Sequence, residues 1–124
     1  IGKMKGKKEE ISEIREEIEM EILKETKNRL KENWQGMKPV MAVCSGGIYP
    51  GHIPFLVKNY GKDIVINAGG GVHGHPRGTF QGAKAMRQAT NAVLNGKTLK
   101  QAAGEKENLE LKQAMDYFGY NVRF

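Results

Sequence analysis

Two short apolar runs in this chain each end in paired glycines. Val40-Met41-Ala42-Val43-Cys44 leads into Ser45-Gly46-Gly47, and Ile64-Val65-Ile66-Asn67-Ala68 leads into Gly69-Gly70-Gly71. Glycine lets backbone N–H groups turn outward and approach an anion closely, and a helix N-terminus nearby adds partial positive charge. The chemistry such loops suit is the cradling of a phosphate. In a (β/α)8 barrel, the loops after the last two strands often form such a site at the carboxyl end of the strands. One strand-Gly-Gly unit alone reads as an ordinary tight turn; two in succession in a basic stretch put the phosphate cradle on an even footing with that reading. Lys3 is the third candidate. Flanked by Gly2 and Gly6 ahead of a helix, it has the setting of a lid that carries one cation to a developing charge, although most loop lysines are only solvated.

Other chemistry fits the same window less well. Gly69 to Gly74 matches G-x-G-x-x-G, but a dinucleotide fold needs a helix opening there and an acid about 20 residues on. Pro76 and Gly78 interrupt, and the later region reads as helix without a carboxylate. Gly46 to His52 has P-loop spacing, with His52 where lysine is required and no Ser or Thr after it. His73 and His75 flank Gly74, but zinc wants three or four ligands and neither Cys44 nor a nearby carboxylate completes the set. Loop packing or hydrogen bonding suits these histidines better. Cys44 closes an apolar run and reads as a small core residue.

The elements that position these residues follow from periodicity. Ile11, Ile14, Ile18 and Ile22 recur at helical spacing, so residues 9–33 read as an amphipathic helix after a loop over 1–8. Residues 34–103 hold the two strand-Gly-Gly units, each strand expected to be buried on both faces as in a parallel sheet. Helices are expected over 52–60 and 80–94, the latter with Ala83, Met86, Ala89 or Thr90, and Val93 on its apolar side. The tail, 104–124, carries a helix over 105–118 whose apolar face is Leu111, Met115 and Phe118. Alternating strands and helices argue for an α/β fold with a parallel sheet.

Composition bounds the rest. The chain has 124 residues, 39% hydrophobic and 27% charged, with a formal net charge of +6, enough for one domain or a piece of one. Its first residue is Ile, and we expect a cut piece. No run approaches the ~20 apolar residues of a membrane span, and the first residues lack the apolar stretch expected of a signal peptide. A single cysteine excludes a disulfide framework, and a cytoplasmic setting is expected. The basic balance raises a nucleic-acid-binding module as an alternative of another class. The charges of residues 1–33 cancel, however, and no recognition helix, aromatic RNA-binding pattern or basic stripe is present.

Taken together, Gly2-Lys3-Met4-Lys5-Gly6, Trp34 to Val40 (WQGMKPV), Ser45-Gly46-Gly47 and Asn67-Ala68-Gly69-Gly70-Gly71-Val72-His73-Gly74-His75-Pro76 resemble the C-terminal part of the ribulose-1,5-bisphosphate carboxylase/oxygenase (RuBisCO) large subunit, in its archaeal form III branch. The resemblance covers nearly the whole chain and is weakest over 7–33. It implies the C-terminal portion of a (β/α)8 barrel, from the loop after strand 6 through units 7 and 8, plus C-terminal helices. It implies a carbon–carbon lyase that enolises ribulose bisphosphate and adds CO2 to give 3-phosphoglycerate. Lys3 would be the mobile-loop lysine that stabilises the incoming carboxylate. Ser45, Gly46, Gly47, Asn67, Ala68, Gly69 and Gly70 would bind the sugar bisphosphate and complete the cradle for one phosphate.

The family's Mg2+ ligands, activating lysine and catalytic histidine would lie upstream of residue 1. The chain is therefore expected to be inactive alone, to need an N-terminal remainder of the large subunit as partner, and to assemble as a homo-oligomer built from dimers. Three positions depart from the family pattern: Lys5 where an acid is common, Met4 where leucine is common, and Asn67 where glutamine is usual. Asn67 to Gly71 also resembles the RuBisCO-like 2,3-diketo-5-methylthiopentyl-1-phosphate enolases of methionine salvage, which are the alternative. Lys3 and Ser45-Gly46-Gly47 lean away from that branch.

Overall fold

The β-branched residues Val43, Ile64, Val65 and Ile66 suit extended backbone. In a computed structural model that describes residues 25, 35–38, 41–120 and 122, they sit in β1 (Ala42–Ser45) and β2 (Ile64–Asn67). The strands pair in parallel, with Ala42 opposite Ile64, Val43 opposite Val65, Cys44 opposite Ile66 and Ser45 opposite Asn67. Parallel neighbours require a crossover. Here it is a 3₁₀ turn over Pro50–His52 followed by α1 (Ile53–Tyr60), which Gly61 ends with φ +86°. After β2 come α2 (Gly69–His73), α3 (Thr79–Leu94), α4 (Leu99–Ala103), a 3₁₀ turn at Lys106–Asn108 and α5 (Leu109–Phe118). This mixed content with parallel pairing agrees with the α/β expectation.

The chain divides into two units, Ile1–Val40 and Met41–Phe124, and the elements above all belong to the second. The expected loop over 1–8, with Lys3, lies outside the described residues, as does the expected helix over 9–33 apart from Glu25. Among the described residues no helix is long and apolar enough to cross a membrane.

The sheet departs from the sequence expectation on one point. Burial alternates along both strands: Ala42, Cys44, Ile64 and Ile66 are half-buried, whereas Val43 is 63% and Val65 44% exposed on the opposite face. The helices cover one face only, so burial on both faces is not met among the described residues. Ile66 packs against the core, which gathers Ile53, Ala89, Ala92, Leu99, Ala102, Ala103, Leu111 and Met115.

The inward face of α3 also differs from expectation. Its buried stripe is Gly82, Ala85, Ala89 and Ala92; Met86, Thr90 and Val93 lie half-buried at the flank, and Ala83 is exposed. The reason is closeness of approach. A Cβ placed on Gly82 would lie 2.0 Å from the Val72 carbonyl oxygen, so the smallest residues, not the most apolar ones, face inward. The tail matches better, with Leu111 and Met115 buried and Phe118 half-buried on α5. The short α4 was not foreseen, although its signal is present. The Thr98 hydroxyl accepts from the Gln101 N–H at 3.2 Å and the Thr98 N–H donates to Gln101 Oε1 at 3.0 Å, a capping box.

α3 and α5 are joined by polar groups as well as by the core. The Leu111 N–H, in the first turn of α5 and without a partner inside that helix, donates to Gln88 Oε1 at 2.8 Å. Gln88 Nε2 donates to Glu110 Oε2 at 2.8 Å, and Lys84 Nζ reaches Glu110 Oε1 at 2.8 Å. These bonds from Lys84 and Gln88 hold the Glu110 carboxyl down from its ordinary 4.5 to about 2. A carboxyl lowered on folding stabilises fully above its unfolded value, and that stabilisation is lost as pH falls through the folded value. Thermal melts should therefore show Glu110→Gln less stable than the parent at pH 6. The gap should narrow as pH falls from about 4.5 toward about 2. A gap that stays constant across that range would contradict the assignment.

Candidate functional site

Ser45 and Asn67 are register partners at the carboxyl ends of β1 and β2, so both glycine loops leave the sheet side by side. Gly46 and Gly47 adopt φ +93° and +62°, where an L side chain is strained, and a Cβ on either would meet nothing within 4 Å. Backbone conformation, not crowding, demands glycine there. Ser45, Gly46, Gly47, Asn67, Gly69 and Gly70 are exposed and Ala68 is half-buried, leaving the loop surfaces open to a ligand.

The second loop is a helix opening. Ala68 is the N-cap of α2, and no side chain caps it, so the first N–H groups of the turn, from Gly69 onward, have no partner within the helix. Around Gly69 and Gly70 there is room: a Cβ on either would meet nothing within 4 Å. Gly71 is different. It is buried, and a Cβ there would lie 2.0 Å from the Ile48 carbonyl oxygen and 2.6 Å from Tyr49 Cα. The third glycine is thus what lets the turn of α2 rest directly on the backbone that follows Gly46-Gly47. A helix does open at Gly69, contrary to expectation, but it lasts one turn before Gly74. The dinucleotide reading fails on its remaining requirement, because the region 20 residues on lies in α3 and holds no carboxylate.

The histidines and the cysteine have structural employment. His75 is buried; its Nδ1 accepts from the Arg77 N–H at 3.1 Å, so Nε2 carries the proton and donates to the Glu110 carbonyl at 3.0 Å. His73 Nδ1 lies 3.0 Å from Thr79 Oγ1. The His52 ring is buried, accepts from the Tyr49 N–H at 3.2 Å and packs edge-on to the Tyr49 ring. Among the described residues no group of three or more His, Cys, Asp or Glu side chains converges on a point that could hold a metal. Burial pushes the Cys44 thiol up, away from the thiolate character that a reactive cysteine needs.

Two hollows adjoin these elements. One, of about 440 Å³, borders Ala68 and Gly69 and is lined also by His73, Met86 and Arg87. A wider groove of about 870 Å³ lies between α1 and the α3–α4 connection, lined by Phe55, Lys58, Lys97, Lys100 and Tyr120. It contains none of the candidate residues, and Lys97 in it is paired with Glu105 at 2.6 Å. Its size does not make it the site. Sequence reading missed Gly71 and Gly82 as contact glycines, Tyr49 and Phe118 as a stacked pair at 5.1 Å, and Arg87 beside the turn. Lys3 lies outside the described residues.

The model of the ribulose bisphosphate carboxylase large chain, catalytic domain, matches residues 1–118. A ribulose bisphosphate carboxylase of Methanocaldococcus jannaschii is 44% identical over 120 residues, 95% of this chain and 28% of that one. The octameric ribulose-1,5-bisphosphate carboxylase/oxygenase of Pyrococcus horikoshii superposes with a TM-score of 0.67 at 41% identity, over 94% of this chain and 25% of that one. A 2,3-diketo-5-methylthiopentyl-1-phosphate enolase of Bacillus cereus is 44% identical over 90 residues, 73% of this chain and 21% of that one. The chain spans about a quarter of the length of these relatives.

The glycines separate by substitution. Gly70→Ala should leave thermal stability within about 1 kcal/mol of the parent, since the space is open and alanine favours helix. Gly71→Ala forces Cβ into backbone and should cost about 1–3 kcal/mol or more. Equal melting temperatures for the two variants would contradict this division of roles.

Proposed function

The chain belongs to the family of the ribulose bisphosphate carboxylase large chain, and from that membership we propose that it supplies the C-terminal part of that subunit's (β/α)8 barrel, from the loop after strand 6 through units 7 and 8. On this reading β1 and β2 are strands 7 and 8, and their open face, with Val43 and Val65, turns toward the barrel interior. The protein it completes enolises ribulose bisphosphate and adds CO2 to the enediolate; water then adds to the six-carbon adduct, and the carbon–carbon bond beside the new carboxylate breaks to give two molecules of 3-phosphoglycerate.

The observation that carries the proposal is the pairing of Ser45 with Asn67. It sets two glycine loops at one end of a parallel pair, where α/β barrels hold phosphates. The role of the cradle is to bind a part of the substrate that does not react. Neutral N–H donors from Gly46, Gly47, Gly69 and Gly70 take one phosphate, with Asn67 and Ala68 shaping the turn. Ser45 meets a substrate hydroxyl. Held at that end, the sugar bisphosphate presents its reacting carbons in a fixed place, and binding energy from the remote phosphate lowers the barrier at the reacting centre.

Lys3, in a glycine-flanked loop, closes over the substrate and sets its ammonium against the carboxylate that forms as CO2 adds. The Mg2+ of the reaction is held, on this reading, by the N-terminal remainder of the large subunit. The octameric relative supports assembly as a homo-oligomer, which on this reading is built from dimers. A cytoplasmic setting goes with this reading.

The test is ribulose-bisphosphate-dependent incorporation of labelled CO2 by the chain completed with its N-terminal remainder, in the presence of Mg2+. We expect label in 3-phosphoglycerate, loss of nearly all product in Lys3→Ala, and no turnover by the chain alone. Absence of label, together with enolisation of a 2,3-diketo phosphate ester that Lys3→Ala leaves intact, would replace the carboxylase with the salvage enolase. Binding of RNA or DNA that collapses with salt, in place of either activity, would favour the nucleic-acid module.

A further inference from the structure

A two-loop phosphate cradle works only if its halves keep a fixed separation, and one side chain outside the cradle packs beside a residue that follows each half. Phe118 is the last residue of α5. Its ring stacks on Tyr49 with centroids 5.1 Å apart and planes at 16°. The same ring lies 3.5 Å from where a Cβ on Gly74 would stand. Tyr49 follows Gly46-Gly47 by two residues, and Gly74 is tied to the second loop by its N–H, which donates to the Gly70 carbonyl at 2.9 Å. One ring thus packs on the Tyr49 side chain beyond the first glycine pair and beside Gly74 beyond the second.

Both ends of this brace are held in place. The Tyr49 ring has a seat that only glycine allows, since a Cβ on Gly51 would lie 2.6 Å from it. Tyr117 packs edge-on against Phe118 at 5.0 Å. α5 is anchored by Leu111 and Met115 in the core and by the bond from His75 Nε2 to the Glu110 carbonyl. Movement of the ring would therefore move one loop against the other.

We infer that Phe118, through its stack on Tyr49, is a positioning residue that sets the spacing of the two glycine loops and so the affinity for the phosphate-bearing substrate. The inference rests on the phosphate reading of those loops. A residue that only spaces a binding site should act on substrate capture and leave the chemical step alone.

The test uses the chain completed with its N-terminal remainder, with ribulose bisphosphate as substrate and inorganic phosphate as competing probe. Phe118→Leu keeps apolar bulk and loses the stack. It should raise KM and the inhibition constant of phosphate by about tenfold, with kcat within about twofold of the parent. Phe118→Tyr keeps the ring and should restore parental KM. Tyr49→Leu removes the other half of the stack and should give the same shift, with no further shift in the double variant; it also serves if Phe118→Leu does not fold. Parental KM in Phe118→Leu or Tyr49→Leu, or a fall in kcat at constant KM, overturns the inference while leaving the cradle standing. If the parent protein itself neither turns over the bisphosphate nor is inhibited by phosphate, the phosphate reading fails and this inference falls with it.

Discussion

The arrangement of the second unit depends on backbone meeting backbone without side chains between. Gly71 brings α2 against the Ile48 carbonyl, and Gly82 brings α3 against the Val72 carbonyl, each at a distance a single Cβ would occupy. The run after β1, the turn after β2 and the long helix α3 are thereby stacked in direct contact. Close packing of this kind transmits position well, because the interior has little room to relax. The glycine loops take their relative place from this stack as much as from the two-strand pairing beneath them. Of the three glycines after β2, two leave space for a ligand and one gives space to the fold.

Much of this was legible in the sequence, and the legible parts share a cause. β-branched runs closed by glycine read as strands because propensity and turn chemistry agree there, and both strands lie within two residues of their expected bounds. Helix stops at Gly61 and Gly96 were equally plain, both glycines having the positive φ that a stop requires. The motif Asn67 to Pro76 carried the family resemblance, and the comparisons place the chain in that family.

Other features were hidden for physical reasons. Hydrophobic periodicity chose Ala83, Met86, Ala89 or Thr90, and Val93 as the inner face of α3; Ala89 is buried there, but close approach to the Val72 carbonyl turns Gly82, with Ala85 and Ala92, inward and leaves Met86 and Val93 at the flank and Ala83 exposed. No local pattern marks Gln88 as the acceptor for the Leu111 N–H, since the two are 23 residues apart. Nor does any spacing pair Tyr49 with Phe118, or tie His75 to the Glu110 carbonyl across 35 residues. The motif histidine His75 takes the hydrogen-bonding role that its loop suggested over metal ligation, but its partner across 35 residues could not be read from the sequence.

The account turns on one claim, that the two glycine loops form a single phosphate cradle. A crystal structure of the completed protein with a sugar bisphosphate bound tests it most directly. The account predicts one phosphate whose oxygens lie within about 2.7–3.2 Å of backbone N–H groups from both Gly46-Gly47 and Gly69-Gly70. A phosphate bound elsewhere, with both loops facing solvent, would contradict it.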